Sequence, residues 1–352
     1  MIALTKLFEN LRQAYKKQLP FVAYKKANTD LVTALFQYDN RIHYVKDYTE
    51  EGFVFAPFDN KTPAILIPNK NLAVSSIADP NLKTRMPAAI YQEKLGVKEQ
   101  HISLIADTKK FIEKSEVSKI VVARTKDIKI DKGFDVFQTF ENLLVKYKHA
   151  TCYVWYHPKV GLWMGATPET LVEIKGTVFS TMSLAGTQKY HGTTDVSWGA
   201  KEIEEQQLVT DYVLSNLKSV CTSLKSSKTF TAKAGALLHL RTDISGNVST
   251  DKGVASLIHV LHPTPAVCGF PREASKEFIL KNEKFDRTFY TGYLGELNMD
   301  NTSSLYVNLR CLQVIDRATV RLYIGGGITT KSKPELEWEE TMAKCKTMES
   351  IL

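Results

Sequence analysis

Along most of this chain, strand-forming runs follow one another directly, and the helical runs are kept apart from them. Parallel pairing needs a long crossover, usually a helix, between strands. A chain ordered this way is therefore expected to be α+β, with antiparallel sheets and helices set aside. In the first ninety residues, short β-prone runs at 30–39, 52–58 and 64–68 alternate with turn clusters. Helix is expected over 88–113 and 134–149, on either side of a strong strand at 119–130. Further strands are read at 151–157, 161–166, 169–174 and 177–184. Two long helices then stand out, 198–224 and 334 to the C-terminus, with shorter ones near Val254 and Ala274. Strands at 290–298, 304–315 and 319–325 close the pattern. No low-complexity or proline-rich linker divides the 352 residues, so one domain, 1–352, is expected.

Composition narrows the class of partner. The net charge is +8, with a pI near 9.0, which raises nucleic acid as a possibility. The lysines are spread along the whole chain, however, and the two pile-ups, Lys109-Lys110 and 218–233, read as solvated faces. A basic enzyme acting on a small anion accounts for the charge as well, and no nucleic-acid partner is expected. No apolar run approaches the roughly 20 residues of a membrane span. Residues 1–15 carry Leu4, Leu7, Phe8, Leu11 and Tyr15 at helical spacing, broken by Lys6, Glu9 and Arg12; this is an amphipathic helix and not a signal peptide. The five cysteines are scattered without a CxxC pair, which argues against disulfides and structural zinc. A cytoplasmic protein with no membrane partner is the expectation.

Several side chains invite chemistry. Glu202, Glu205, Val209 and Tyr212 share one face of the first long helix. Glu337, Glu340, Lys344, Met348 and Ile351 do the same on the last, acidic at its start and apolar at its end. Carboxylates on an inward face call for a cation, and four glutamate oxygens suit Mg²⁺; complementing the helix dipole is the plain alternative. Lys119, Val121 and Ala123 fall on one face of their strand, where an edge lysine usually serves solubility. SLAGT (183–187) and YIGGGI (323–328) read as glycine turns whose N–H groups could cradle an anion. The proline-punctuated loop 262–271 reads as rigid. No Walker A, dinucleotide or Ser-His-Asp pattern is present.

Taken in order, KIVVAR, GATPETLVE, SLAGT, KEIEEQQLV, LLHLRTDISG, LHPTPAVCGFP, RTFYTGYLGEL, VNLRC, GGGI and PELEWEETMAKCK resemble the chorismate-utilising enzymes, from about residue 119 to the C-terminus. The N-terminal third carries only weak likeness, such as GFVFAPF. The resemblance implies two large antiparallel sheets packed face to face with helices on the outside. Family members differ in the nucleophile that reaches ring carbon 2. Lys119, where anthranilate synthases usually have glutamine, and Ala185, where aminodeoxychorismate synthases have an attacking lysine, are similar to the water-using isochorismate synthase branch.

On that resemblance Lys119 is the general base that activates water and Glu169 the general acid that protonates the departing 4-hydroxyl. A lysine at its ordinary pKa is neutral in fewer than about 1% of molecules at pH 7. The pair therefore needs a lysine pushed down and a carboxyl pushed up. Mg²⁺ is the implied cofactor, held chiefly by Glu205 and Glu340, with Glu202 and Glu337 close by. Tyr290 and Arg310 match positions that grip the enolpyruvyl carboxylate. Gly325, Gly327 and the Gly186-Thr187 turn complete the anion cradle. Ala266, His239 and Lys344 match pocket positions, although His239 could equally be a core histidine. Gln206 departs from the histidine that relatives carry there, with little effect expected. Chorismate is the implied substrate, with no obligate glutaminase subunit and a monomer expected. The product would feed menaquinone or siderophore synthesis. The competing readings are a salicylate synthase, against which Ala266 leans, and a non-catalytic chorismate-binding protein.

Overall fold

The computed structural model describes residues 1–76, 96–131, 133–234, 237–249 and 253–352. The chain begins with α1 (Leu4–Lys16), whose Leu7, Phe8, Leu11 and Ala14 are buried as the amphipathic spacing requires. Six strands follow: β1 (Phe21–Lys25), β2 (Leu31–Phe36), β3 (His43–Tyr44), β4 (Gly52–Ala56), β5 (Ile65–Pro68) and β6 (Leu72–Ser76). Next come α2 (Val97–Glu113), β7 (Lys119–Lys129) and α3 (Val136–Lys146), the last capped by the Asp135 carboxylate on the Phe137 and Gln138 N–H groups. Four strands run on from there, β8 (Thr151–His157), β9 (Gly161–Thr167), β10 (Thr170–Lys175) and β11 (Val178–Lys189), and lead into α4 (Ala200–Leu217). Beyond it lie β12 (Cys221–Ser226), β13 (Phe230–Ala234), β14 (Leu237–Val248), α5 (Gly253–Leu261), β15 (Gly269–Phe270) and α6 (Arg272–Asn282). The chain closes with β16 (Tyr293–Met299), β17 (Thr302–Val307), β18 (Cys311–Asp316), β19 (Thr319–Ile328) and α7 (Pro334–Glu349).

These strands build two large sheets. One runs β15-β7-β19-β18-β9-β8-β1-β2-β6 and the other β12-β14-β11-β10-β17-β16-β4-β5-β3, with β13 also on β14. The strand alternation explains why several runs are apolar throughout. Val22 and Tyr24 of β1, and Tyr153 and Trp155 of β8, join Phe53, Phe55 and Leu294 of the second sheet in a core between the two sheets. Their neighbours Phe21, Ala23, Cys152 and Val154 face the other way, onto α1 and α3. Strands buried on both faces read as continuous hydrophobic runs. On the outside of the second sheet, α4 and α5 pack through Val213, Leu217, Leu257 and Ile258. The α+β sandwich with outer helices is therefore present.

The structure corrects four details. The first long helix ends at Leu217, not near Leu224; 221–226 instead pair with β14, whose edge offers a ladder to the β-prone Cys-Thr-Ser run. The expected strand 304–315 is two strands in different sheets, β17 and β18, broken where Arg310 takes a left-handed φ of 46°. YIGGGI is no turn, because β19 continues through it to Ile328 in register with β7. Lys119 is not on a sheet edge, since β7 lies between β19 and β15. The helix expected from residue 88 is seen from Val97, and 88–95 fall outside the described residues.

Candidate active site

Lys119 opens β7, and its Nζ donates to Glu205 Oε1 at 2.9 Å. The ammonium is 14% exposed and the carboxylate 28%. The glycines of β19 make this possible. A Cβ on Gly327 would lie 2.9 Å from Lys119 Cε, and one on Gly325 would lie 2.9 Å from the Tyr290 hydroxyl. Each contact is closer than a real Cβ tolerates, so these glycines leave room for the lysine stem and the phenol.

The same strand explains how its main chain is left available. Val121 N–H donates to the Cys268 carbonyl and Ala123 N–H to Glu283, both on the β15 side of β7. Their partners Gly327 and Gly325 are thus in non-hydrogen-bonded register, with main-chain groups turned away from β7. On that side β18 reaches only to Leu322. The Gly325 carbonyl, on that side, accepts from Lys344 Nζ at 3.0 Å.

Glu169 sits in the link between β9 and β10, where its carbonyl accepts from Val307 N–H at 2.9 Å. Burial pushes its carboxyl up to about 7, against the opposing pull of the Lys119 charge and a long 3.5 Å contact from Thr264 Oγ1. Lys119 and Glu169 are thus within electrostatic reach of one another. Ala266 lines a small cavity of about 20 Å³ with Glu169, Thr264 and Ser183, room for roughly one water. A larger cavity of about 630 Å³, between the β4–β5 connection and α5, includes none of the expected site residues in its lining.

SLAGT lies within β11 as an irregularity between Ala185 and Gln188, with Gly186 at a φ of 65°. Glu202 Cβ packs 3.2 Å from where a Gly186 Cβ would be. His239 of β14 donates from Nδ1 to the Gly186 carbonyl at 2.9 Å, with Thr187 Oγ1 at 3.2 Å. Burial first, then the Lys344 and Arg310 charges, hold its pKa below the usual histidine value. The Gly186 and Thr187 contacts thus fix the His239 ring against the irregularity in β11.

Arg310 and Tyr290 complete the opposite side. Tyr290 is buried, and burial raises its pKa above the ordinary tyrosine range. Arg310 donates to Thr347 Oγ1 at 2.8 Å, and among the described residues it meets no carboxylate within ion-pair distance. Burial lowers its pKa. A partly buried guanidinium without an acidic partner is free to pair with an anion.

The four glutamates come to this region without forming a cage. Glu340 pairs with Lys344 at 2.7 Å as Glu205 pairs with Lys119. Glu337 Oε2 lies 3.7 Å from a Cβ position on Gly326. Among the described residues no group of three or more His, Cys, Asp or Glu side chains is drawn together at metal-holding distance. The donor set is nonetheless of hard oxygen only, and Glu340 is 45% exposed, which leaves access for water ligands.

Gln206, singled out in the sequence, is 1% exposed, and its amide donates to the Ser183 carbonyl and to the Ser183, Thr210 and Thr242 hydroxyls, knitting α4 to the sheet. Sequence reasoning missed two contributors. One is Thr264, which touches Glu169. The other is the buried pair Glu283–Arg287, at 2% side-chain exposure each. Only its position between the PTPA loop and Tyr290 could have signalled it.

The chain matches the family model described as chorismate binding enzyme over residues 60–352. It is 30% identical to the vibriobactin-specific isochorismate synthase of Vibrio cholerae over 309 residues, 84% of this chain and 78% of that protein. Identity to the isochorismate synthase EntC of Escherichia coli K12 is 28% over 337 residues, covering 91% and 85%. The crystal structure of a putative 2,3-dihydroxybenzoate-specific isochorismate synthase from Bacillus anthracis superposes with a TM-score of 0.79 at 25% identity, covering 97% of this chain and 98% of that one.

Proposed function

The chain belongs to the chorismate-binding enzyme family, and from that premise we propose that it is an isochorismate synthase. Water adds at ring carbon 2 of chorismate and the 4-hydroxyl departs as water, so the reaction is a net isomerisation. Lys119 takes a proton from the attacking water, and Glu169 delivers one to the leaving hydroxyl. The observation that supports this reading is Glu169 beside Thr264 and Ala266 at a water-sized cavity, within the field of Lys119. A carboxyl whose pKa desolvation raises is suited to protonating a leaving hydroxyl.

Arg310 and the Tyr290 hydroxyl receive the enolpyruvyl carboxylate, with Gly325 and Gly327 N–H groups on the same side. Gly186, Thr187, His239 and Ala266 close the ring pocket, and Ala185 leaves space where a nucleophilic lysine would compete with water. Glu205 and Glu340, assisted by Glu202 and Glu337, would hold Mg²⁺ in exchange for the lysines they now pair with. Bound there, the ion supplies positive charge opposite the ring carboxylate. Lys344 stays anchored to the Gly325 carbonyl.

The test is a product assay with chorismate and Mg²⁺, resolved by liquid chromatography with an independent measurement of pyruvate. Isochorismate without pyruvate is expected. Salicylate with matching pyruvate would move the chain to the lyase branch, and no product would favour a non-catalytic binder.

A further inference from the structure

β7 has an asymmetry that points to a device outside the reacting groups. On one flank it pairs with β19 from Ile120 to Lys129, but on the other β15 pairs with Lys119 and Ile120, and main-chain bonding ends with Val121 N–H on the Cys268 carbonyl. Beyond that point two side chains take the place of a strand. Glu283 Oε1 accepts from Ala123 N–H at 2.7 Å. Arg287 Nη2 donates to the Val121 carbonyl at 2.6 Å. An acceptor and a donor thus meet the main chain as a neighbouring strand would.

The Arg287 guanidinium is used to its full valence. Nε and Nη2 donate to the two Glu283 oxygens at 2.8 and 2.6 Å, and Nη1 donates to the Val267 carbonyl at 3.0 Å and Thr291 Oγ1 at 3.1 Å. With the bond to Val121, all five donors of the planar fork have partners. The anchor points also share a pattern. Val121 is two residues from Lys119, Val267 is next to Ala266 and three from Thr264, and Thr291 is next to Tyr290. Thr291 passes the link on by donating to the Tyr290 carbonyl at 2.6 Å. The Arg287 guanidinium lies 4.5 Å from the Phe58 ring centroid and 5.8 Å from that of Tyr290.

We propose that Glu283 and Arg287 are positioning residues, a side-chain clamp that sets the spacing between the Lys119 strand, the loop bearing Thr264 and Ala266, and the Tyr290 turn. It rests on the reading of Lys119, Glu169 and Tyr290 as site residues. A pair that served folding alone would have no need to touch all three walls. The reaction needs acid and base at a fixed separation, and small displacements of such groups cost turnover more than binding.

The experiment compares wild type with Arg287→Lys and Thr291→Val. Lysine keeps the charge but has three donors and no fork; valine removes a single arm. Steady-state kinetics with chorismate and Mg²⁺ are run across pH, with near-UV circular dichroism to confirm folding at the assay temperature. For Arg287→Lys, kcat is expected to fall at least tenfold with KM moved less than threefold, and the limbs of the pH profile are displaced. Thr291→Val is expected to lose about threefold in kcat with the same split. Folded variants with wild-type kcat and an unshifted pH profile would overturn the clamp. If Arg287→Lys does not fold, Thr291→Val decides. An inactive wild type would count against the reading of the site instead. Hydrogen exchange over β7 then tests the clamp without turnover, with faster exchange in either variant supporting it and unchanged exchange refuting it.

Discussion

Glu169→Gln separates the chemistry of the acid from its cost to the fold. In the unfolded chain this carboxyl ionises near its ordinary 4.5, whereas in the folded protein burial delays ionisation until about 7. Between those values the folded state keeps a proton that the unfolded state has released. Stability therefore falls as pH rises from about 4.5 through about 7, and the loss is complete above that. The displacement corresponds to about 3 kcal/mol at about 1.4 kcal/mol per tenfold change in ionisation. Glutamine matches the shape and carries no charge to desolvate. At pH 8.5 the variant should be more stable than wild type by up to about 3 kcal/mol, or about 4 °C in Tm for a chain of this length. At pH 4 the two should coincide. Turnover of chorismate should be lost at every pH, while wild-type kcat should decline above about pH 7 as the acid loses its proton. Thermal unfolding of both proteins at the two pH values, with a chromatographic assay alongside, makes the comparison. A variant that is less stable at pH 8.5, or whose difference from wild type does not change with pH, would refute the assignment of a carboxyl raised by desolvation.

The other expectations are more direct. Lys119→Ala should abolish turnover while leaving Tm within a few degrees, since the ion pair it breaks is partly open to solvent; a collapse in Tm would make the lysine structural. EDTA should stop the reaction and added Mg²⁺ restore it, with Glu205→Gln and Glu340→Gln raising the Mg²⁺ needed for half-activity; full turnover in chelator would remove the metal from the mechanism. Gly327→Ala places a methyl 2.9 Å from Lys119 Cε and should lower kcat at least tenfold with little change in unfolding temperature. Unchanged kcat would show that the lysine can move aside.

What the sequence made legible, and what it hid, divides along a physical line. Local patterns report on single elements. The heptad-like spacing of Leu4, Leu7, Phe8 and Leu11 indicated α1, and the strand alternation of Lys119 and Ile120 placed the lysine opposite the face that packs on α2 and α6. Contacts between elements have no local pattern to report on. The break at Arg310 is one case. Nothing in VNLRC distinguishes a continuous strand from a chain leaving one sheet for the other, a crossing that coincides with the positive φ of Arg310. YIGGGI is another. Glycines in series read as a turn, yet here Gly325 and Gly327 leave room for the Tyr290 phenol and the Lys119 stem, a requirement set by neighbouring elements.

The candidate site residues came from motif resemblance, which carries the imprint of chemistry, and the structure adds the contacts among them. Lys119 and Lys344 now hold Glu205 and Glu340, the carboxylates expected for a metal. A pocket that keeps its acids in ion pairs with its own lysines balances their charge before any ligand arrives. A cation held by Glu205 and Glu340 would replace those ion pairs, freeing Lys119 for its proposed role as base while Lys344 keeps its bond to the Gly325 carbonyl. Arg310, which lacks an acidic partner among the described residues, needs no such exchange. An anion is therefore expected to engage Arg310 first. Chorismate binding measured by calorimetry in EDTA should then survive in wild type and be lost in Arg310→Ala. Binding that vanishes with the metal would place the lysine exchange ahead of the arginine.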